Sequence, residues 1–136
     1  MQYNYSMRYL GVDYGLKKMG LAISEGQIAS PLRVIAISSQ KDGLEKIAHE
    51  IKKEEIQRVV IGISDGKMGK ISRQFAHELK KRYQSEPVEV IETDETLSSN
   101  DARELMIALG TSSKDRQEED AYSAMLILQR FLDTLS

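Results

Sequence analysis

Hydrophobic and polar positions in the first part of the chain predict three strands in hairpin-like succession. Two short apolar runs, residues 8–13 and 19–24, are joined by a connection that contains Gly15. Glycine tolerates the positive φ of a tight turn, so we interpret the pair as a hairpin. A third apolar run, residues 32–37, follows the loop from Gly26 to Pro31. The three runs therefore predict an antiparallel part of a sheet.

After residue 40 the pattern alternates between helical and strand periods. Leu44, Ile47 and Ile51 repeat at helical spacing within a predicted helix over 40–54. The near-continuous apolar run at 57–63 predicts a strand buried on both faces. The remaining predicted elements are a turn at 64–69, a helix over 70–83, a strand over 88–93, and helices over 99–109 and 119–134. This order predicts an α/β fold with a mixed sheet, in which crossover connections lead to the parallel strands.

The composition excludes several kinds of catalytic and metal-binding site, but it does not identify a binding partner. The 136 residues carry 19 Lys and Arg against 21 Asp and Glu, and 40% of them are hydrophobic, which predicts a single globular domain over 1–136. The chain has no cysteine and two histidines, at 49 and 77, which excludes disulfides, thiol catalysis and a multi-histidine metal site. Since no apolar run approaches about 20 residues and the first residues lack an apolar core, we expect a cytoplasmic protein without a membrane span.

Acidic residues follow several of the predicted strands and open the last predicted helix. They are Asp13, Asp65, Asp94, Glu95, Glu119 and Asp120. Ligand sites in open α/β sheets gather beyond the carboxyl ends of the strands, so parallel neighbouring strands would bring these acids together. Carboxylates in close contact repel each other unless cations neutralise them, and oxygen ligands favour Mg²⁺ or Mn²⁺. The pattern therefore predicts a divalent-metal site suited to phosphodiester hydrolysis.

Each acid also has an ordinary structural explanation. Asp65 on its own is a common turn residue, and Glu119 and Asp120 would complement a helix dipole. Asp120, however, shares a helix face with Ala124 and Ile127. An acid at the inner end of an apolar stripe needs a partner or a metal.

Basic residues fall in or beside the loops on the same side of the predicted sheet. They include Lys17 and Lys18 in the hairpin, and Lys67, Lys70 and Arg73 after the fourth strand. Their positions favour contacts with the phosphates of a nucleic acid.

Four motifs together resemble one known family. The segment Asp13–Ala22 has the pattern Asp-x-Gly-x-Lys-Lys-x-Gly-x-Ala, and residues 59–66 form a strand that leads into a glycine turn. Asp94–Ser98 is Asp-Glu-Thr-Leu-Ser, and Asp120–Leu128 has the pattern Asp-x-x-x-Ala-x-x-Ile-Leu. From Met7 onward the chain thus resembles the YqgF family, also called RuvX, and the resemblance implies that residues 1–6 are an N-terminal extension. These are RuvC-like, RNase H-fold proteins that carry the names Holliday junction resolvase and pre-16S rRNA nuclease.

The resemblance implies an RNase H-like mixed five-stranded sheet flanked by helices and an acid cluster that binds Mg²⁺ or Mn²⁺. The implied catalytic residues are Asp13, Asp94, Glu95 and Asp120, of which Asp13, Glu95 and Asp120 are the implied metal ligands. The choice between Asp94 and Glu95 depends on strand phase and stays open. Thr96 departs from the family pattern, which has arginine there, and so removes a bidentate phosphate or carboxylate contact.

The leading hypothesis is a metal-dependent endonuclease that processes the 5′ end of pre-16S rRNA, acting as a monomer or homodimer. A Holliday junction resolvase acting on branched DNA is the first alternative, and it should be a dimer with two symmetric sites. A non-catalytic nucleic-acid-binding module is the second. A phosphotransferase of the actin-like superfamily is the third, although such proteins need two domains to close over a nucleotide.

Overall fold

The computed structural model describes residues 7–94 and 118–135. In chain order the elements of these residues are β1 Arg8–Tyr14, β2 Lys18–Glu25, β3 Ala29–Ala36, α1 Gln40–Lys53, β4 Arg58–Ile63, α2 Gly66–Arg82, β5 Glu89–Asp94 and α3 Glu119–Asp133. The helix predicted over 99–109 and the extension over 1–6 lie outside the described residues. None of the helices in the described ranges is long and apolar enough to cross a bilayer.

The five strands form one mixed sheet in the order β3-β2-β1-β4-β5. β2 is antiparallel to both β1 and β3, whereas β4 is parallel to both β1 and β5. The predicted mixed sheet, antiparallel first and parallel afterwards, is confirmed. Since β1, β4 and β5 are parallel neighbours, their carboxyl ends lie at the same edge of the sheet.

Helices cover both faces of the sheet, and the alternation of side chains along each strand decides which residues they meet. On one face, Leu10, Val12 and Ile61 share a core with residues of α1 and α2. On the other face, Tyr9 and Val60 pack with residues of α3. β4 is buried on both sides, as its continuous apolar run predicts.

Helix α3 approaches the sheet closely because the strands beneath it carry glycine. A Cβ atom on Gly11 would lie 2.8 Å from the Cβ atom of Leu128, and one on Gly62 would lie 2.7 Å from the Cδ1 atom of Ile127. Real Cβ atoms essentially never approach other heavy atoms this closely. The backbone of α3 therefore lies closer to the sheet than side chains at these strand positions would allow.

The start of β3 differs from the prediction. The strand begins at Ala29 and includes Pro31, whereas the prediction began it at residue 32 and extended it to residue 37. β3 is the edge strand of the sheet, and an edge strand tolerates proline because one side of it has no ladder to complete. A register shift between Leu21 and Ala22 of β2 leaves Leu32 as an extra residue opposite them, which is a β-bulge.

The start of α2 also differs from the prediction, which placed a turn over 64–69 and a helix from residue 70. The helix begins at Gly66, so the connection from β4 is two residues long. Gly66 has φ +77°, which explains the turn-like sequence. A Cβ atom on Gly69 would overlap the carbonyl group of Ser64, so this glycine lets the first turn of the helix pack against its own connection.

We expect Gly20→Ala to lower the free energy of unfolding by about 1–3 kcal/mol, because its methyl group would overlap the backbone of α3 at Asp120. Denaturant unfolding of the variant measures this loss. Gly43→Ala in α1 is the matched control, since a methyl group there would have 3.4 Å contacts and would raise helix propensity. Equal stability of the two variants would contradict close packing at Gly20.

Candidate functional site

Candidate acidic and basic residues that the sequence analysis singles out lie at one edge of the sheet. We call it the carboxyl rim and define it by the carboxyl ends of β1, β4 and β5, the β1–β2 turn, and the first turns of α2 and α3. The β1–β2 turn belongs to the rim because it follows the end of β1 directly. The first turn of α3 belongs to it because Asp120 touches Gly20, close to the start of β2.

Asp13 and Asp120 come together at the rim through Gly20. Asp13 and Gly20 are paired across β1 and β2, so their Cα atoms are about 5 Å apart. The carbonyl group of Asp120 lies directly against Gly20, in the space that a side chain would fill. The backbones of the two acids are therefore within about 10 Å of each other, which two carboxylates sharing one ion require.

The side chain of Asp13 lies on the face of the sheet that α3 covers. On β1, Gly11 faces α3, and Asp13 is two residues further along the same strand. Asp13 is half-buried, as is Asp120 in the first turn of α3. Both carboxyl groups thus stand at the boundary between the packed helix–sheet interface and solvent.

Lys18 supplies a positive charge to one of these two acids, Asp120. Its Nζ atom lies 3.1 Å from the Oδ2 atom of Asp120, and the two side chains are 58% and 22% exposed. Lys18 shares a face of β2 with Gly20, at two-residue spacing, which accounts for its reach toward α3. An ammonium group therefore already stands beside Asp120, so this part of the rim suits a cation.

Asp94 lies on the opposite face of the sheet from Asp13. Val90 packs into the core with α1 and α2, and Glu92 forms ion pairs with Arg73 and Lys80 of α2. Asp94 has the same phase on β5 as these residues. Within residues 7–94 and 118–135, no three His, Asp or Glu side chains form a group that could hold a metal ion. Asp94 therefore does not complete a three-carboxylate group with Asp13 and Asp120, and Glu95 lies outside the described residues.

Asp65 belongs with Asp94 rather than with Asp13. The two acids line a polar cavity of about 210 Å³ on the α2 side of the rim, together with Arg73. Asp65 occupies the N-cap position of α2, where its side chain makes no capping hydrogen bond. This cavity is separate from the meeting point of Asp13 and Asp120.

The predicted phosphate-binding residues are exposed along the rim. Lys17 lies in the β1–β2 turn, and Lys67 and Lys70 lie in the first turns of α2. Across the described part of the chain, the ammonium groups of these three lysines have no ion-pair partner, which leaves them available to an external anion. Arg73 differs, because its Nε atom lies 3.7 Å from a carboxylate oxygen of Glu92.

Tyr14 anchors the end of β1, a role that the motif search did not assign. Its ring stacks on that of Phe75 in α2, with centroids 4.1 Å apart and planes inclined by 18°. Burial raises the pKa of the Tyr14 phenol above its ordinary value. The clue in the sequence is the continued alternation of Leu10, Val12 and Tyr14, which carries the apolar face of β1 past Asp13.

A family model described as RuvX: Holliday junction resolvase matches residues 7–134 of this chain. Proteins of Bacillus thuringiensis (strain Al Hakam) and Bacillus cereus (strain AH820), both named "Putative pre-16S rRNA nuclease", are each 34% identical to it over 139 residues. Each alignment covers 94% of this chain and 99% of the relative. The similarity therefore extends over nearly the whole length of both proteins.

Two solved structures share the fold at low sequence identity. The Fowlpox virus resolvase in complex with Holliday junction DNA has a TM-score of 0.62 at 14% identity, with 95% of this chain and 99% of that chain covered. T. thermophilus RuvC in complex with a Holliday junction substrate has a TM-score of 0.58 at 14% identity, with 96% of each chain covered. The expected RuvC-like, RNase H-like fold is confirmed.

We expect Lys18→Met to destabilise the metal-free protein by up to about 1 kcal/mol, since Asp120 then loses the cation that neutralises it beside Asp13. Chemical denaturation in EDTA measures the change. Lys17→Met is the matched control, because it removes the same charge from the same turn without touching Asp120. Adding Asp120→Asn should abolish the difference between the two variants, and equal destabilisation by both lysine substitutions would argue against the ion pair.

Proposed function

Because the chain belongs to the RuvX family, described as Holliday junction resolvases, we propose that it is a metal-dependent endonuclease that hydrolyses phosphodiester bonds in structured nucleic acid. The observation that carries this proposal is the meeting of Asp13 and Asp120 across Gly20, with Lys18 beside them. Two carboxylates at one sheet edge, of which Asp120 already has a positive charge beside it, suit the binding of a divalent ion.

We assign the metal-binding role to Asp13, Glu95 and Asp120. The oxygen donors of Asp13 and Asp120 fit Mg²⁺ or Mn²⁺, and the ammonium of Lys18 marks a position that accepts positive charge. We choose Glu95 over Asp94 because Asp94 has the phase of the α2 face. When bound, such a divalent ion activates a water nucleophile and stabilises the oxygen that leaves.

The lysines of the rim would bind the backbone of the nucleic acid on both sides of the acids. Lys17 and Lys18 approach from the β1–β2 turn, and Lys67 and Lys70 approach from α2. Phosphate contacts of this kind position a nucleic acid without reading its sequence. Together they would hold the backbone so that one phosphate lies over Asp13 and Asp120.

The substrate that we favour is the precursor of 16S rRNA, cut near its 5′ end in the cytoplasm. Relatives whose names give pre-16S rRNA as the substrate match 94% of this chain at 34% identity. The alternative is a four-way DNA junction, which the description of the family model favours. Symmetric cutting of a junction requires a dimer, so the oligomeric state in solution and assays on both substrates separate the two.

A non-catalytic nucleic-acid-binding module is the less favoured alternative. A module that only binds phosphates gains nothing from carboxylates beside them, because like charges repel. The position of Asp13 and Asp120 among the rim lysines therefore argues for catalysis.

We expect Asp13→Asn to reduce cleavage of a structured precursor RNA in Mg²⁺ at least about 100-fold. Its melting temperature in EDTA should equal or exceed that of the wild type, because the substitution relieves repulsion from Asp120. Gel-based cleavage assays and thermal unfolding give the two readouts. A variant that cuts at the wild-type rate would overturn the role of Asp13.

Two variants, Asp94→Asn and Glu95→Gln, test which acid of the Asp-Glu-Thr-Leu-Ser motif acts in catalysis. The two variants lose the same charge at adjacent positions, so each is the control for the other. We expect Glu95→Gln to lose at least about 100-fold in rate and Asp94→Asn to stay within about threefold of the wild type. The reverse result would assign the role to Asp94.

A further inference from the structure

An apolar side chain stands exposed at the tip of the β1–β2 turn, in the middle of the charged rim. Leu16 is 64% exposed and lies between Gly15 and Lys17, three residues after Asp13. In the described ranges, the exposed large hydrophobic residues are Leu16, Ile28 and Leu135. Of these, Leu16 is the one beside the meeting point of the proposed catalytic acids.

The turn that carries Leu16 is held in place by backbone hydrogen bonds. The N–H group of Gly15 donates to the carbonyl oxygen of Lys18 at 3.0 Å, which closes the turn. The N–H group of Ile37 donates to the carbonyl oxygen of Lys17 at 2.8 Å, which ties the tip to the end of β3. The stacked ring of Tyr14 fixes the base of the turn in the core. The side chain of Leu16 is therefore exposed on a turn whose backbone is held by hydrogen bonds.

A nucleic acid offers few surfaces that suit a leucine side chain. Phosphates and sugars are polar, and Lys17 and Lys18 already provide for them. The faces of the bases are apolar enough to gain from contact, but within a duplex they are covered by their neighbours in the stack. Proteins that insert leucine or similar residues between base steps partly unstack them at a cost in free energy, and this cost is lower where the stack is already interrupted.

We propose that Leu16 acts as a wedge that packs against the exposed face of an unstacked base next to the phosphate that is cut. The inference rests on the proposed nuclease function and specifies its substrate. The enzyme would select nucleic acid in which stacking is interrupted, as at a bulge, a helix end or a branch point. Leu16 is then a specificity residue, because its contact lies beside the reacting phosphate and not on it.

Ile28 provides a matched control for Leu16. It is also an exposed aliphatic residue in a connection between strands, with 76% of its surface exposed. Its connection joins β2 to β3, at the end of β2 that is remote from the rim. Removing either side chain costs little packing, so Leu16→Ala and Ile28→Ala should both fold with wild-type stability.

The contact itself is tested by fluorescence in EDTA, where no metal supports cleavage. The probe is a synthetic RNA hairpin with a single-nucleotide bulge and 2-aminopurine next to it, whose emission rises when the base leaves the stack. We expect the wild type and Ile28→Ala to raise the emission at saturation, and Leu16→Ala to give a much smaller rise. Equal emission with all three proteins would overturn the proposal, whether or not the protein is a nuclease.

The consequence for catalysis is tested by comparing two RNAs in Mg²⁺, the bulged hairpin and the same hairpin without the bulge, in which every base is paired and stacked. We expect Leu16→Ala to lower kcat/KM on the bulged hairpin roughly tenfold and to leave the fully paired hairpin unaffected, because a continuous stack offers Leu16 no exposed base face. Ile28→Ala should match the wild type on both. Equal losses on both RNAs would overturn the wedge, whereas a wild type that cuts neither RNA would overturn the proposed function.

Discussion

The close approach of α3 to the sheet is the constraint on which the rest of the structure depends. A helix usually rests on the side chains of the strands below it, but here Gly11, Gly20 and Gly62 remove those side chains along its path. The helix backbone therefore lies almost on the strands. Because these three positions have no Cβ atom, the backbone of α3 lies close to the strands. The first turn of α3 therefore reaches the end of β1, which brings Asp120 near Asp13.

Electrostatics then decides what the assembled rim can do. Two carboxylates at the boundary of a packed interface are unfavourable without a positive neighbour. Lys18 supplies that neighbour to Asp120 from within the chain, through a side chain that is 58% exposed. In the function that we propose, a divalent ion would supply a stronger positive charge at the same place. The lysines of the turn and of α2 extend the positive character to either side, where a nucleic-acid backbone would lie.

Much of this arrangement could be predicted from the sequence. There are physical reasons why the remaining parts could not be predicted. Asp13 stood out because it directly follows an apolar run, and Asp120 because it continues the apolar stripe of the last helix. The phase of β5 was not readable, since Val90 and Ile91 are both apolar and the alternation is ambiguous. The structure resolves it by packing Val90 with α1 and α2 and Ile91 with the α3 cluster. The early start of β3 was hidden because Pro31 is acceptable only on an edge strand, and edge position is a property of the whole sheet.

The docking of α3 also makes the acid pair a property of the whole fold. Asp13 lies on β1 and Asp120 on α3, so two segments that are far apart along the chain must both be folded before the acids can meet. Because domains generally fold as units, the two acids come together only when the helix and the sheet have assembled. Any opening that lifts the first turn of α3 off Gly20 would separate Asp120 from Asp13 while leaving β1 paired with β2.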